Sequence, residues 1–166
     1  MATSLLFWPA ASAVLPASSA PGVTFTDDTN FDTLSLAFDG ADGSGDEYCF
    51  FTGIMPEVYG GGTIFFRIYW EPATSSPASE NCSWDVSILG RVDDEVLDAA
   101  FSETQTVNDV VTAAADLQVA ATTAASATVA AGDFIIIRVL RDYDEANGGT
   151  ALGEDALLHG LQLLES

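Results

Sequence analysis

Eight residues that follow a glycine corner, Thr63 to Trp70, are all bulky or β-branched except Arg67. A run of this length, bounded by turn residues, predicts a strand buried on both faces. Ile64, Phe66, Ile68 and Trp70 would line one face, and Thr63, Phe65, Arg67 and Tyr69 the other. The corner before it, Met55-Pro56-Glu57-Val58-Tyr59-Gly60-Gly61-Gly62, supplies the turn. Phe134 to Arg141 repeats the pattern, again with arginine among bulky apolar residues. Alternation elsewhere is of the half-buried kind. It predicts strands over 32–38, 48–54, 84–91 and 117–123, and a weaker extended segment over 96–107. The last segment, 156–165, is rich in leucine. It reads as a strand because a turn precedes it and Gly160 interrupts it. A short helical turn is expected near 108–115, capped by Asn108 or Asp109. Residues 71–81 read as an exposed loop.

Eight strands separated by turn signals, with no helix of core size, define an all-β fold. The architecture expected is a single eight-stranded jelly-roll-type β-sandwich over residues 31–166. Residues 1–30, rich in Ala, Ser, Pro and Thr, would form an extended N-terminal arm and loop, anchored through the apolar patch Leu5, Leu6, Phe7, Trp8 and through Leu15. That patch lacks a positive flank and is interrupted by Pro9, which argues against a secretory signal.

Composition sharpens this picture. The 166 residues suit one domain, and at 48% hydrophobic they can form a full core. No run approaches the roughly 18 apolar residues of a membrane span, so a soluble chain without a membrane partner is expected. The charge is extreme: 25 acids against four arginines and no lysine give a net −21. Such a surface repels phosphate backbones, so no direct nucleic-acid partner is expected. It also suits a saline setting, where screening removes the self-repulsion; a halophilic origin is one reading. Cys49 and Cys82 are too few for a disulfide framework and read as buried thiols. Asn81-Cys82-Ser83 matches a glycosylation sequon, a pattern that often arises by chance.

Candidate chemistry is sparse. His159 is the sole histidine, which excludes sites that need two. No nucleophile elbow, P-loop or dinucleotide fingerprint is present, so an enzyme is not expected. Asp39, Asp42, Asp46 and Glu47 crowd one turn and could hold Ca²⁺ through their oxygens, although they lack EF-hand order. Arg67, Arg138 and Arg141 stand within strands, where each needs a carboxylate or several carbonyls. Such arginines serve either buried pairs or subunit interfaces.

The Trp8-Pro9 arm, Met55-Pro56-Glu57-Val58-Tyr59-Gly60-Gly61, Arg67-Ile68-Tyr69-Trp70, and Ala131-Gly132-Asp133 leading to Arg138-Val139-Leu140-Arg141-Asp142 spread across the chain. So does Gly153-Glu154-Asp155-Ala156-Leu157. On these the chain resembles jelly-roll capsid decoration, cement and head-fibre proteins of tailed viruses. The resemblance implies a virion structural protein on the outer capsid surface. It would form a homotrimer and bind the major capsid protein through its arm, with Leu5, Phe7, Trp8, Tyr59, Arg67, Tyr69, Arg138 and Arg141 at interfaces. The competing reading is a carbohydrate-binding module of a host-recognition fibre or spike, using Tyr59, Tyr143 or Trp70 against a sugar.

Overall fold

A computed structural model of the chain describes residues 2–27, 32–40, 45–74, 79–101, 103–112, 116–143 and 150–166. Among these the chain forms a sandwich of two β-sheets with one short 3-10 turn (Ala10–Ser12). The strands are β1 (Thr3–Pro9), β2 (Gly22–Asp27), β3 (Asp32–Phe38), β4 (Glu47–Ile54), β5 (Ile64–Pro72) and β6 (Glu80–Arg91). They continue as β7 (Glu103–Val110), β8 (Gln118–Ala121), β9 (Phe134–Asp142), β10 (Thr150–Ala151) and β11 (Ala156–Glu165). The all-β sandwich is as expected, but the described residues hold eleven strands rather than eight. One sheet runs β2-β3-β11-β5-β8, with β1 on the same side of β11 as β3; the other runs β10-β6-β9-β4, with β7 beside β6.

The three additional strands, β1, β2 and β10, have weak sequence signals. β1 and β2 lie in the segment expected to be an arm and loop, yet both are hydrogen-bonded into the six-stranded sheet. β1 is recruited by β11, whose backbone offers an edge that only the tertiary structure creates. β10 is two residues long and pairs in parallel with the start of β6. β7 starts at Glu103, later than expected, and extends through the predicted helical turn as far as Val110. Residues 113–115 of that prediction lie outside the described residues.

The alternation of apolar positions sets which face is inside. Ile64, Phe66, Ile68 and Trp70 are all fully buried, and Ile135, Ile137 and Val139 of β9 face them. The other face of both strands is half-buried rather than enclosed, so the expectation of strands buried on both faces is corrected. A sandwich wets its outer faces, and the bulky residues there are only partly covered. Trp70, Trp84 and Phe38 pack edge-on at the centre. One polar clasp crosses the core: Gln105 Nε2 donates to the Ile64 carbonyl and Thr122 Oγ1 donates to Gln105 Oε1. The Phe66 amide in turn donates to Thr122 Oγ1, so the buried groups are paired.

The Met55–Gly62 corner is closed from the far end of the chain. Glu165 Oε1 accepts from the amides of Gly60 and Gly62, each at 3.0 Å, and Tyr59 donates its hydroxyl to the Gly62 carbonyl. Cys49 and Cys82 are free and buried, and burial pushes both thiols up to about 12. They are inert packing groups at neutral pH.

Asp109, on β7, accepts from the indole Nε1 of Trp70 at 2.9 Å. Burial raises its carboxyl above the usual range, opposed by the hydrogen bonds from Trp70 and the Val110 amide. A raised folded-state value means that the native chain holds the proton more tightly than the unfolded chain. The associated stability is therefore full below the ordinary Asp value of about 3.9 and is lost as pH rises through the folded value. Asp109→Asn keeps an acceptor for Trp70 without the buried charge. It is expected to unfold at a higher temperature than the parent at pH 7, and the two melting curves should converge in acid.

Candidate functional site

The outer face of the six-stranded sheet carries an aromatic and polar strip set out by strand register. Paired residues across a ladder share a face, so three ranks can be read directly. The first is Ser4, Leu164 and Phe65; the second Phe7, Gln162, Arg67 and Ala121; the third Pro9, Gly160, Tyr69 and Val119. With strands about 4.8 Å apart, the second and third ranks each cross β1, β11, β5 and β8.

A β-bulge in β11 between Leu158 and Gly160 shapes this face. Strict alternation along this segment would group Leu157, His159, Leu161 and Leu163 on one side. The extra residue breaks that period, so Leu158, Leu161 and Leu163 are all buried while His159 and Gln162 are half-buried. A bulge places two residues opposite one and re-aims side chains. Here it puts Gly160 opposite Tyr69 and frees His159, whose Nε2 lies 3.2 Å from Glu71 Oε1.

Gly160 makes room for Phe7. A Cβ at that position would lie 2.7 Å from Phe7 Cζ and 2.9 Å from the Trp8 carbonyl oxygen. The Phe7 ring therefore lies directly over the β11 backbone and meets Tyr69 edge-on at 5.9 Å, while remaining 56% exposed. Beside it runs a relay of hydrogen bonds: Tyr69 hydroxyl to Gln162 Oε1, and Gln162 Nε2 to Ser4 Oγ, both 2.9 Å. Arg67 sits over the Phe65 ring at 5.9 Å. No carboxylate lies within ion-pair distance of it among the described residues, despite the 25 acids of the chain. The strip thus offers an exposed ring, a planar amide, a hydroxyl and an unpaired guanidinium side by side.

The other candidate residues fall elsewhere. Trp8, Tyr59 and Arg141 are buried within the chain at 8%, 6% and 2% exposure, and Trp70 is fully enclosed. None of these side chains is placed to meet a partner or a sugar, which corrects the use of Tyr59 and Trp70 as sugar platforms. Trp8 instead anchors β1, donating its indole Nε1 to the Thr52 carbonyl of the opposite sheet. Leu5 packs partly buried against the core. Tyr143 is half-buried, 6.0 Å above the Arg141 guanidinium. Arg138 lies on the outer face of the other sheet under Phe101, its Nη2 donating to Ser87 Oγ.

Of the four acids expected to hold Ca²⁺, the structure describes Asp39, Asp46 and Glu47. Asp42 lies outside the described residues, and the described ones include no group of three or more His, Cys, Asp or Glu side chains arranged to hold a metal. Glu47 accepts from the Asp39 amide at 2.6 Å; burial raises its carboxyl, that hydrogen bond and Arg141 oppose the rise, and the Asp39 and Asp155 charges add to it.

No protein-family model and no curated protein matches the sequence. Among solved structures, the chain is similar to the carbohydrate-binding module CBM36 in complex with calcium and xylotriose (10% identity, TM-score 0.49, covering 96% of this chain and 99% of that one). It is also similar to the CBM36-1 domain of a multidomain xylanase from the hindgut metagenome of Trinervitermes trinervoides (10%, TM-score 0.48, 98% and 96%). A third is TmCBM61 in complex with beta-1,4-galactotriose (7%, TM-score 0.42, 100% and 88%). The expectation of a capsid decoration or cement protein is overturned here, since these structures are carbohydrate-binding modules and not virion proteins. Likeness at this level assigns neither ligand nor site, which are argued below from the chain's own residues.

Proposed function

We propose that the chain is a non-catalytic carbohydrate-binding domain that holds an oligosaccharide on the outer face of its six-stranded sheet. The observation that carries this reading is the rank Phe7, Gln162, Arg67, with Tyr69 beside it. A sugar ring has one apolar C–H face and a rim of hydroxyls. The exposed Phe7 ring suits the former, and planar amide and guanidinium groups suit paired hydroxyls. Arg67 is free to donate because it is not engaged by a carboxylate. The net charge of −21 disfavours polyanionic chains, so the ligand class is a neutral glycan. Ca²⁺ has no assigned part in this scheme.

Titration calorimetry against neutral xylo-, galacto- and gluco-oligosaccharides tests the reading. Saturable binding to at least one is expected, with Phe7→Ala and Arg67→Met each weakening it at least about 10-fold, the scale of a well-placed contact. No binding across the panel, or variants that bind like the parent, would sink the proposal.

A further inference from the structure

The five-stranded sheet carries a separate cleft. A hollow of about 710 Å³ lies between the ends of β4, β6 and β9, lined by Ile54, Arg91, Val92, Leu97 and Phe134 with the 131–133 turn. Its volume falls in the range of small-molecule sites. Its walls are apolar and open to solvent: Ile54 is 56%, Val92 57% and Leu97 59% exposed. These walls carry no exposed aromatic-and-amide rank like that of the other sheet, and their polar groups are one guanidinium and carboxylates.

Arg91 is the one cation there, and it is half-used. Its Nη1 donates to the Gly90 carbonyl at 2.9 Å and lies 3.8 Å from Glu95 Oε2, while among the described residues the buried Nε has no partner and Nη2 has no protein acceptor. Nε is enclosed by the protein, so Nη2 is the donor that a ligand oxygen in the cleft can reach. The carboxylates around it set the ligand's charge. Asp93 and Asp133 line the same cleft, Glu95 already faces Arg91, and Glu57 borders Gly132. Asp133 is itself engaged, its Oδ2 accepting from the Ala130 amide at 2.7 Å. Several carboxylates around one guanidinium repel an anionic ligand, yet leave the guanidinium able to donate to a neutral oxygen.

From this we infer that the cleft binds a small neutral amphipathic molecule, an apolar ring or acyl body whose carbonyl or hydroxyl oxygen accepts from Arg91. The site stands apart from the glycan strip and does not depend on it.

The test is an amide NMR titration of the full chain with two probes of equal shape, neutral acetophenone and anionic benzoate. Acetophenone is expected to give saturable shifts at Ile54, Val92, Leu97, Gly132 and Phe134, and benzoate to bind at least about 10-fold more weakly. Arg91→Met, which keeps the apolar stem, should weaken acetophenone binding by a similar factor. Leu97→Asp on the exposed loop should remove it, and serves as the readout if Arg91→Met fails to fold. The inference is overturned by an absence of saturable shifts at these residues, by benzoate binding as well as acetophenone, or by both variants binding like the parent.

Discussion

Arg141→Met is expected to destabilise the chain by about 3–5 kcal/mol, the scale of leaving several buried carbonyls without their donor. For a chain of this size that lowers the melting temperature on the order of 10 °C. Arg141 is 2% exposed and occupies an inward position of β9. Its Nη1 donates to the carbonyls of Phe38 and Glu154, at 2.7 and 2.8 Å, and its Nη2 to that of Leu152 at 2.5 Å. These carbonyls belong to the end of β3 and to the segment between β10 and β11, so one side chain ties three stretches across the sandwich. Methionine fills the volume but leaves all three acceptors without this donor, each costing about 1–3 kcal/mol before relaxation. Arg141→Lys keeps the charge but not the planar fork, and should fall between the two. Chemical denaturation of the three proteins checks the order; a methionine variant as stable as the parent would mean that water or neighbours replace the lost donors.

Gly160→Ala is expected to damage fold and ligand binding together. The added methyl meets the Trp8 carbonyl oxygen at 2.9 Å and the Phe7 ring at 2.7 Å. A ring can rotate away, but a backbone carbonyl moves only if β1 moves. Shifting β1 loosens the Trp8 indole bond to Thr52 and withdraws Phe7 from Tyr69. Overpacking of this kind costs typically about 1–3 kcal/mol, and oligosaccharide affinity should fall at least as far as in Phe7→Ala. The double variant Phe7→Ala with Gly160→Ala separates the two contacts. It should recover only part of the stability lost by Gly160→Ala, because the Trp8 carbonyl remains in the way; full recovery would place the whole strain in the ring. Indole N–H shifts of Trp8 report directly on whether β1 has moved.

Legibility of the site in the sequence followed the same division. Phe7, Arg67 and Tyr69 are legible in the sequence only as residues for meeting other protein chains, because a charged or bulky group in an apolar segment reads equally as an interface or a ligand contact. Gln162 and Ser4 carried no signal, since an amide or hydroxyl acquires meaning only from its neighbours. The bulge at Leu158/Gly160 was hidden because one extra residue leaves composition and approximate alternation unchanged. Of the three aromatic residues the sequence offers for sugar, Tyr59, Tyr143 and Trp70, Trp70 and Tyr59 are core residues; ring type does not reveal which side of the chain faces water.

The sequence alone determined that the chain is all β, that Ile64, Phe66, Ile68 and Trp70 share one face of β5, and that an arginine within a strand, as at Arg67, Arg138 and Arg141, calls for a carboxylate or several carbonyls. Those properties are local, set by side-chain alternation and by the cost of burying polar groups. Only the tertiary structure decided that β1 and β2 complete a sheet, that Phe7 from one end of the chain lies over Gly160 near the other, and that Arg67 has no acid beside it among the described residues. The physical reason is that ladder pairing joins residues more than 150 positions apart, as between Phe7 and Gln162, through backbone groups that every residue carries and no sequence pattern distinguishes.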